Sequence, residues 1–164
     1  MVDVWPIGNL TLHAEGKELA ELYDMSNSGA IAFGDYNKPI SSSNLLKIAL
    51  LYAQNFDGLV MSFPQDASIA GSGFVHEGIQ STHLGLRSVP ALAEELQIIR
   101  DLYILDYTGG RLHIPTISTE KSVKLIRDAK KQGLQVTCSV AAHNLVLDDS
   151  CLDGFDADYK VNPP

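Results

Sequence analysis

Short apolar runs of strand length alternate along this chain with longer segments of helical periodicity. Strands are predicted at 2–7, 30–34, 58–63, 112–117 and 135–141. Helices are predicted between them, at about 17–26, 43–56, 91–107 and 119–133. This alternation is typical of βα units, in which each helix returns the chain to a neighbouring parallel strand. The sequence therefore predicts an α/β fold with about five parallel strands and four helices.

Two architectures fit this order of elements. One is an open, doubly wound sheet and the other is part of a (β/α)8 TIM barrel, and periodicity alone does not separate them. The segment 64–90 contains Gly71, Gly73, Gly78 and Gly85 and is long for a connection, which indicates a functional loop. A short helix is predicted inside it, near 78–84.

Charge and cysteine content narrow the classes of partner and compartment. The net charge of −8 argues against nucleic acid and anionic membrane surfaces, which select clustered Lys and Arg. The sequence contains no run of about 18 apolar residues, so it predicts no membrane-spanning helix. Cys138 and Cys151 are too few for a disulfide framework, so we expect two reduced thiols in a cytoplasmic protein.

A distinctive motif joins a predicted strand to a predicted helix at 111–119, where the sequence reads Arg-Leu-His-Ile-Pro-Thr-Ile-Ser-Thr. It resembles the sixth strand of the dihydroorotases, of the amidohydrolase superfamily, which reads His-Ile-Ala-His-Val-Ser-Thr. Shorter and less specific motifs occur in the same order as in the family, among them Leu-Gly-Leu at 84–86, Thr-Gly-Gly at 108–110 and Asn-Pro-Pro at 162–164. The resemblance implies that residues 1–164 are a single middle segment of an amidohydrolase-type TIM barrel. The N- and C-terminal parts of the barrel would then be absent.

The resemblance also implies a ligand set for catalytic zinc, of which this chain keeps one position in three. Asp35 falls on the family's ligand aspartate, whereas Phe63 and Thr116 fall on two ligand histidines. A catalytic zinc usually needs three protein ligands. Phenylalanine has no donor atom and would leave the ion's desolvation uncompensated. We therefore expect no bound zinc and no catalytic residue in this chain.

Other polar residues have a structural and a functional interpretation. The resemblance places Asn162 on an asparagine that contacts substrate. On a continuous strand His113 and Thr116 would face opposite sides, which predicts that His113 faces the helices if Thr116 faces the barrel interior. His76, Glu77 and His83 are either solvated loop residues or a site for a stray metal. His143 is expected to have a local structural role and His13 to be solvated.

The preferred interpretation is a non-catalytic homologue related to pyrimidine biosynthesis. In this family dihydroorotate and water are converted to N-carbamoyl-aspartate. A retained scaffold without its ligands suggests a structural partner for a pyrimidine-pathway enzyme, such as an aspartate carbamoyltransferase. The alternatives are an active dihydroorotase, or other cyclic-amide hydrolase, with a rearranged metal site, and a monomeric α/β binding module. Because a partial barrel has two open edges, we also expect a dimer or other self-association.

Overall fold

A computed structural model of the chain describes residues 2–152 and 157–164. The strands are β1 (Ile7–Gly8), β2 (Ala32–Phe33), β3 (Leu59–Met61), β4 (Val75–His76), β5 (Ser88–Val89), β6 (Arg111–Ile114) and β7 (Val136–Cys138). The α-helices are α1 (Leu22–Asn27), α2 (Ser43–Ala53), α3 (Ala67–Ala70), α4 (Ile79–His83), α5 (Ala91–Thr108) and α6 (Glu120–Lys131). Short 3₁₀ turns occur at Leu12–Ala14, Gln54–Phe56, Ala142–Leu145, Asp149–Leu152 and Ala157–Tyr159.

Five strands form one parallel sheet in the order β1-β2-β3-β6-β7. This spatial order follows the chain order, so the sheet has no point at which the winding direction reverses. Crossovers between parallel strands are right-handed, and crossovers that all advance in one direction place their helices on one face. The order therefore fits part of a barrel and excludes a doubly wound sheet. The predicted α/β class and the five parallel strands are confirmed.

One hydrophobic core lies between this sheet and its helices. The strands contribute Phe33, Val60, Leu112, Ile114 and Val136. The helices contribute, among others, Leu46, Leu50, Ile98, Leu105 and Ile126. The alternation within β6 shows which face is covered, because Leu112 and Ile114 are buried while Arg111 and His113 are only half-buried. The other face of the sheet is the side that a closed barrel turns inward.

The first predicted strand and helix are wrong in their bounds. Residues 2–6 are exposed and only Ile7–Gly8 pairs with β2. The helix begins at Leu22, because residues 11–19 form a loop closed by an antiparallel bridge between Thr11 and Leu19. Backbone pairing across this loop satisfies groups that a helix would otherwise have satisfied, with Ala20 N donating to Leu10 O at 3.0 Å.

The long segment between β3 and α5 forms a small subdomain of its own. It contains α3, α4 and a two-stranded parallel sheet of β4 and β5. The predicted helix near 78–84 is confirmed as Ile79–His83. Every helix in the described part of the chain is too short or too polar to cross a bilayer.

Candidate functional site

The three positions aligned with metal ligands lie at one edge of the sheet. Asp35, Phe63 and Thr116 each come two residues after the end of a strand, β2, β3 and β6 respectively. These strands are parallel neighbours, so their carboxyl ends meet at the same edge. In TIM barrels this edge carries the active site.

Both carboxylate oxygens of Asp35 are occupied by the loop that follows β1. Oδ1 accepts hydrogen bonds from Leu10 N at 2.9 Å and Thr11 N at 3.0 Å. Oδ2 accepts one from Thr11 Oγ1 at 2.5 Å. Asp35 is 5% exposed and Thr11 is fully buried, so the carboxylate fastens the start of this loop to the end of β2.

Phe63 fills its position with an apolar ring that is almost fully buried. The preceding residue, Ser62, is also fully buried and donates a hydrogen bond from Oγ to Asp101 Oδ2 at 2.6 Å. The polar side chain at this strand end, Ser62, therefore binds α5. The aligned position itself offers no donor atom.

Thr116 lies in a left-handed backbone conformation, with φ at +49°. Its amide donates to Ser139 Oγ at 3.3 Å, while its own Oγ1 is buried without a hydrogen-bond partner. A β-branched residue rarely adopts positive φ, so the backbone here is strained. The strand has already ended at Ile114.

The expected orientation of His113 is wrong. Its Nδ1 lies 2.8 Å from Thr137 Oγ1 and its Nε2 lies 3.3 Å from Ser139 Oγ, on the face of the sheet away from the helices. The prediction assumed that strand alternation continues to Thr116, and the left-handed turn after Ile114 breaks it. Burial lowers the pKa of His113, which favours the neutral imidazole between the two hydroxyl groups.

Asn162 is brought to the loop that follows β3. Its Oδ1 accepts a hydrogen bond from Gln65 Nε2 at 3.4 Å, and its side chain is exposed. Gln65 lies two residues beyond Phe63. Asn162 therefore lies on the same side of the molecule as the three aligned positions.

The remaining histidines are dispersed. His13, His76 and His83 are exposed. His143 lies in the turn after β7, with its Nε2 buried and without a hydrogen-bond partner. Across residues 2–152 and 157–164, no three His, Cys, Asp or Glu side chains come together in a way that would hold a metal ion.

A cavity of about 920 Å³ lies beside this edge, between the β4 region, the start of α6 and the segment after β7. His76 and His143 both line it. Phe74, Leu147 and Tyr159 form apolar parts of its wall. Acidic and basic side chains also line it. Asp35, Phe63 and Thr116 do not line it.

Two buried carboxylates that sequence reasoning did not single out hold the elements around the site. Asp101, on α5, accepts hydrogen bonds from Ser62 Oγ and from Arg100 Nε and Nη2, the last at 2.7 Å. Arg100 also donates to Ile40 O and Ser41 O, in the loop before α2. Burial raises the pKa of Asp101, and the Arg100 guanidinium offsets part of that rise.

Glu94 is the second such carboxylate. Its two oxygens accept hydrogen bonds from the backbone amides and the hydroxyl groups of Ser118 and Thr119, at 2.7 to 3.1 Å. These residues precede α6, where unpaired amides and the helix dipole favour a negative charge. The pairs are 24 or more residues apart in sequence, so no local pattern could have indicated them.

Comparison with known proteins places the chain in a dihydroorotase-like family. The family described as Dihydro-orotase-like matches residues 1–122. The dihydroorotase of Pelotomaculum thermopropionicum is 44% identical over 163 residues, covering 99% of this chain and 38% of that protein. The dihydroorotase of Acetivibrio thermocellus is 43% identical over 163 residues, with the same 99% and 38% coverage. The chain thus spans well under half the length of these relatives.

Solved structures agree in fold. The L-hydantoinase (dihydropyrimidinase) of Arthrobacter aurescens superposes with a TM-score of 0.72 at 18% identity, over 92% of this chain and 35% of that one. The dihydropyrimidinase of Brevibacillus agri gives a TM-score of 0.64 at 18% identity, over 80% of this chain and 30% of that one. At these identities the likeness supports the fold, which is part of a TIM barrel.

Proposed function

Because the chain belongs to the dihydroorotase-like family, we propose that it is the middle of a dihydroorotase-like barrel that does not assemble a catalytic zinc centre. The observation that carries the proposal is the use of Asp35, the only charged member of the three aligned positions. Each of its oxygens already accepts hydrogen bonds from Leu10 or Thr11. Phe63 supplies no donor atom, and the neutral hydroxyl of Thr116 is a weak ligand for zinc. The residues present therefore do not fit the metal.

The buried surroundings make an ion at this edge costly. A dication near the ring of Phe63 would lose its hydration without compensation. A metal bound through Oδ1 would compete with the buried amides of Leu10 and Thr11, and one bound through Oδ2 would compete with the Thr11 hydroxyl. The chemistry of this strand edge is thus structural, and no hydrolytic step is assigned to it.

A barrel without a metal centre retains a surface for assembly. We infer a cytoplasmic protein whose role is to hold a pyrimidine-pathway enzyme, such as an aspartate carbamoyltransferase, in a complex. The retained core, with Asp35, Glu94 and Asp101 all buried and hydrogen-bonded, supports a scaffold that is kept folded without catalysis. Asn162 is proposed as a residual substrate-type contact, because it lies beside the loop that carries Phe63.

The proposal is tested by metal analysis and a ring-opening assay on the full-length protein that contains this segment. We expect less than stoichiometric zinc and no conversion of dihydroorotate. Asp35→Asn should leave the metal content unchanged and lower the stability. Stoichiometric zinc that disappears in Asp35→Asn, together with hydrolysis of dihydroorotate, would establish the active enzyme with a rearranged site instead. A strictly monomeric protein that captures no pyrimidine-pathway enzyme would contradict the assembly role.

A further inference from the structure

The outward side of α6 carries a row of basic side chains. Lys124, Arg127 and Lys131 are spaced by three and four residues, which places them on one side of the helix. The opposite side, with Ile126 and Ala129, is buried in the core. All three basic residues are exposed, and they span about 10 Å along the helix axis. These three residues are called the basic row.

The charge of α6 is opposite in sign to that of the rest of the chain. Its 12 residues contain five cations and two acids, which gives the helix a net charge of +3. Because the whole chain carries −8, the residues outside α6 together carry −11. A concentration of one sign against a background of the other creates a local potential that favours counter-charged partners. The basic row is therefore a distinct electrostatic feature of the surface.

Most of these cations lack a strong partner within the molecule. Lys131 pairs with Asp128 at 3.2 Å, but both side chains are largely exposed, and such a pair contributes little. Among the residues that the structure describes, Lys124, Arg127 and Lys130 form no ion pair. The helix dipole accounts for Lys130 and Lys131 in the last turn, whereas Lys124 and Arg127 precede that turn. Local helix stability therefore does not explain the basic row.

The position of α6 keeps the basic row open in a complete barrel. The helix connects β6 to β7, and the helices of a barrel lie side by side in its outer layer. Helix α5 packs against one flank of α6, where Lys121 pairs with Glu95 at 2.7 Å. A further barrel helix would lie along the other flank. Neither neighbour reaches the outward side, so only a second protein can cover it.

The chemistry of the basic row fits carboxylates on a helix. The guanidinium of Arg127 can hold a carboxylate through two parallel hydrogen bonds, and the lysine ammonium groups act as point charges. Asp or Glu residues at positions i, i+3 and i+7 of a second helix have the same spacing as the row. Nucleic acid and anionic lipid are extended anions, which would also meet the acidic remainder of the chain.

We propose that the basic row of α6 docks an acidic helical segment of a partner protein, with one carboxylate on each cation. The inference rests on the assembly role proposed above and names the chemistry that the partner presents. Electrostatic complementarity of this kind determines the choice of partner and the association rate more than it determines affinity. The interaction should therefore weaken as salt is added, because exposed charges are screened.

The docking is tested with a fluorescent helical peptide and the full-length protein that contains this segment. The peptide carries Glu at positions i, i+3 and i+7, and a companion peptide carries Gln at the same positions. The Glu peptide should bind about tenfold more tightly than the Gln peptide, and added salt should remove the difference. Equal binding of the two peptides would overturn the proposal. Tighter binding of double-stranded DNA or of phosphatidylserine vesicles than of the Glu peptide would also overturn it.

Charge reversal in the basic row identifies the surface. Lys124→Glu combined with Arg127→Glu should weaken binding of the Glu peptide by about tenfold, because two attractions become two repulsions. Lys17→Glu combined with Lys47→Glu is the matched control, since it changes the net charge equally in the loop at 11–19 and on α2. Circular dichroism verifies that each variant retains its fold. An equal loss of binding in the control would contradict a site on α6.

Co-sedimentation with an aspartate carbamoyltransferase of the same organism separates this inference from the proposed function. Binding of the enzyme that is lost in the Lys124→Glu and Arg127→Glu double variant would support both. Binding that survives in the double variant would refute the docking surface and leave the assembly role intact. Binding of the Glu peptide without binding of the enzyme would support the docking surface and contradict the proposed partner.

Discussion

At the residue scale, Asp35 has a supporting function that explains its burial. Its carboxylate joins the loop after β1 to the end of β2 through three hydrogen bonds. Thr11 completes the loop, because its Oγ1 also accepts a hydrogen bond from Gly16 N at 2.9 Å. A buried carboxylate that receives backbone amides is difficult to replace, because those amides have no access to water as a substitute.

Asp35→Ala is therefore expected to lower the free energy of unfolding by about 3 kcal/mol, since it leaves buried amides without an acceptor. Urea denaturation provides the measurement. Asp106→Ala is the control, because Asp106 is exposed on α5, and its change should stay within about 0.5 kcal/mol. Equal stability of the two variants would show that the carboxylate does not hold the loop.

His113 is expected to make the free energy of unfolding depend on pH. Burial lowers its pKa below the ordinary value of 6.5, so the folded state favours the neutral form. The stabilising contribution is then complete above pH 6.5 and is lost as the pH falls through the lower folded pKa. The unsubstituted protein should lose more unfolding free energy between pH 8 and pH 5 than His113→Gln does. Parallel losses in both proteins, measured by denaturation at each pH, would contradict this expectation.

At the scale of elements, the start of α6 depends on a carboxylate from another helix. Thr119 caps α6 by accepting a hydrogen bond from Ser122 N at 3.2 Å. Glu94 adds the charge that the helix start favours and fixes α5 against α6. Packing and capping thus act together at the start of α6.

Glu94→Gln is expected to destabilise the protein by about 2 kcal/mol, because an amide group cannot accept from every donor that surrounds Glu94. Glu95→Gln is the matched control on the same helix. Glu95 pairs with Lys121, whose side chain is exposed to solvent, and this ion pair contributes about 0.5 kcal/mol. Thermal unfolding of both variants measures the difference. A loss in Glu95→Gln as large as that in Glu94→Gln would refute the capping role.

At the scale of the whole molecule, β1 and β7 are the outermost strands of the five-stranded sheet within the residues that the structure describes. The β1 edge is preceded by exposed Val2, Val4 and Trp5, and the β7 edge is followed by exposed Val140, Leu145 and Val146. Unpaired strand edges with apolar flanks favour association. We therefore propose that the 164-residue chain self-associates through these strand edges.

This edge association is expected to weaken when charge is placed beside β1. Val4→Lys should lower the weight-average mass measured by light scattering below that of the unsubstituted 164-residue chain. Tyr36→Lys is the control, because Tyr36 is 88% exposed in the loop after β2. A monomeric mass for the unsubstituted 164-residue chain would show that the edges do not associate.

Sequence reasoning found the elements more accurately than their bounds. Helix α2 was predicted to begin at about residue 43 and does so, where Ser42 Oγ accepts a hydrogen bond from Leu45 N at 3.2 Å. The predicted start of the first helix failed, because Thr11 and Asp35 draw residues 11–19 into a loop. The predicted orientation of His113 was wrong for a comparable reason, because alternation along a strand cannot reveal the left-handed backbone conformation at Thr116. Both errors arise where contacts distant in sequence override a local pattern.

The sequence by itself determined the α/β class, the family and the identity of the residues at the three aligned positions, because these depend on periodicity and on residue type. The family resemblance already implied a barrel segment, and the tertiary structure supplied the spatial order of the strands that excludes a doubly wound sheet. It also decided the use of Asp35, Glu94 and Asp101. Their donors lie far away in the chain, so burial and hydrogen bonding exist for them only after the fold has formed.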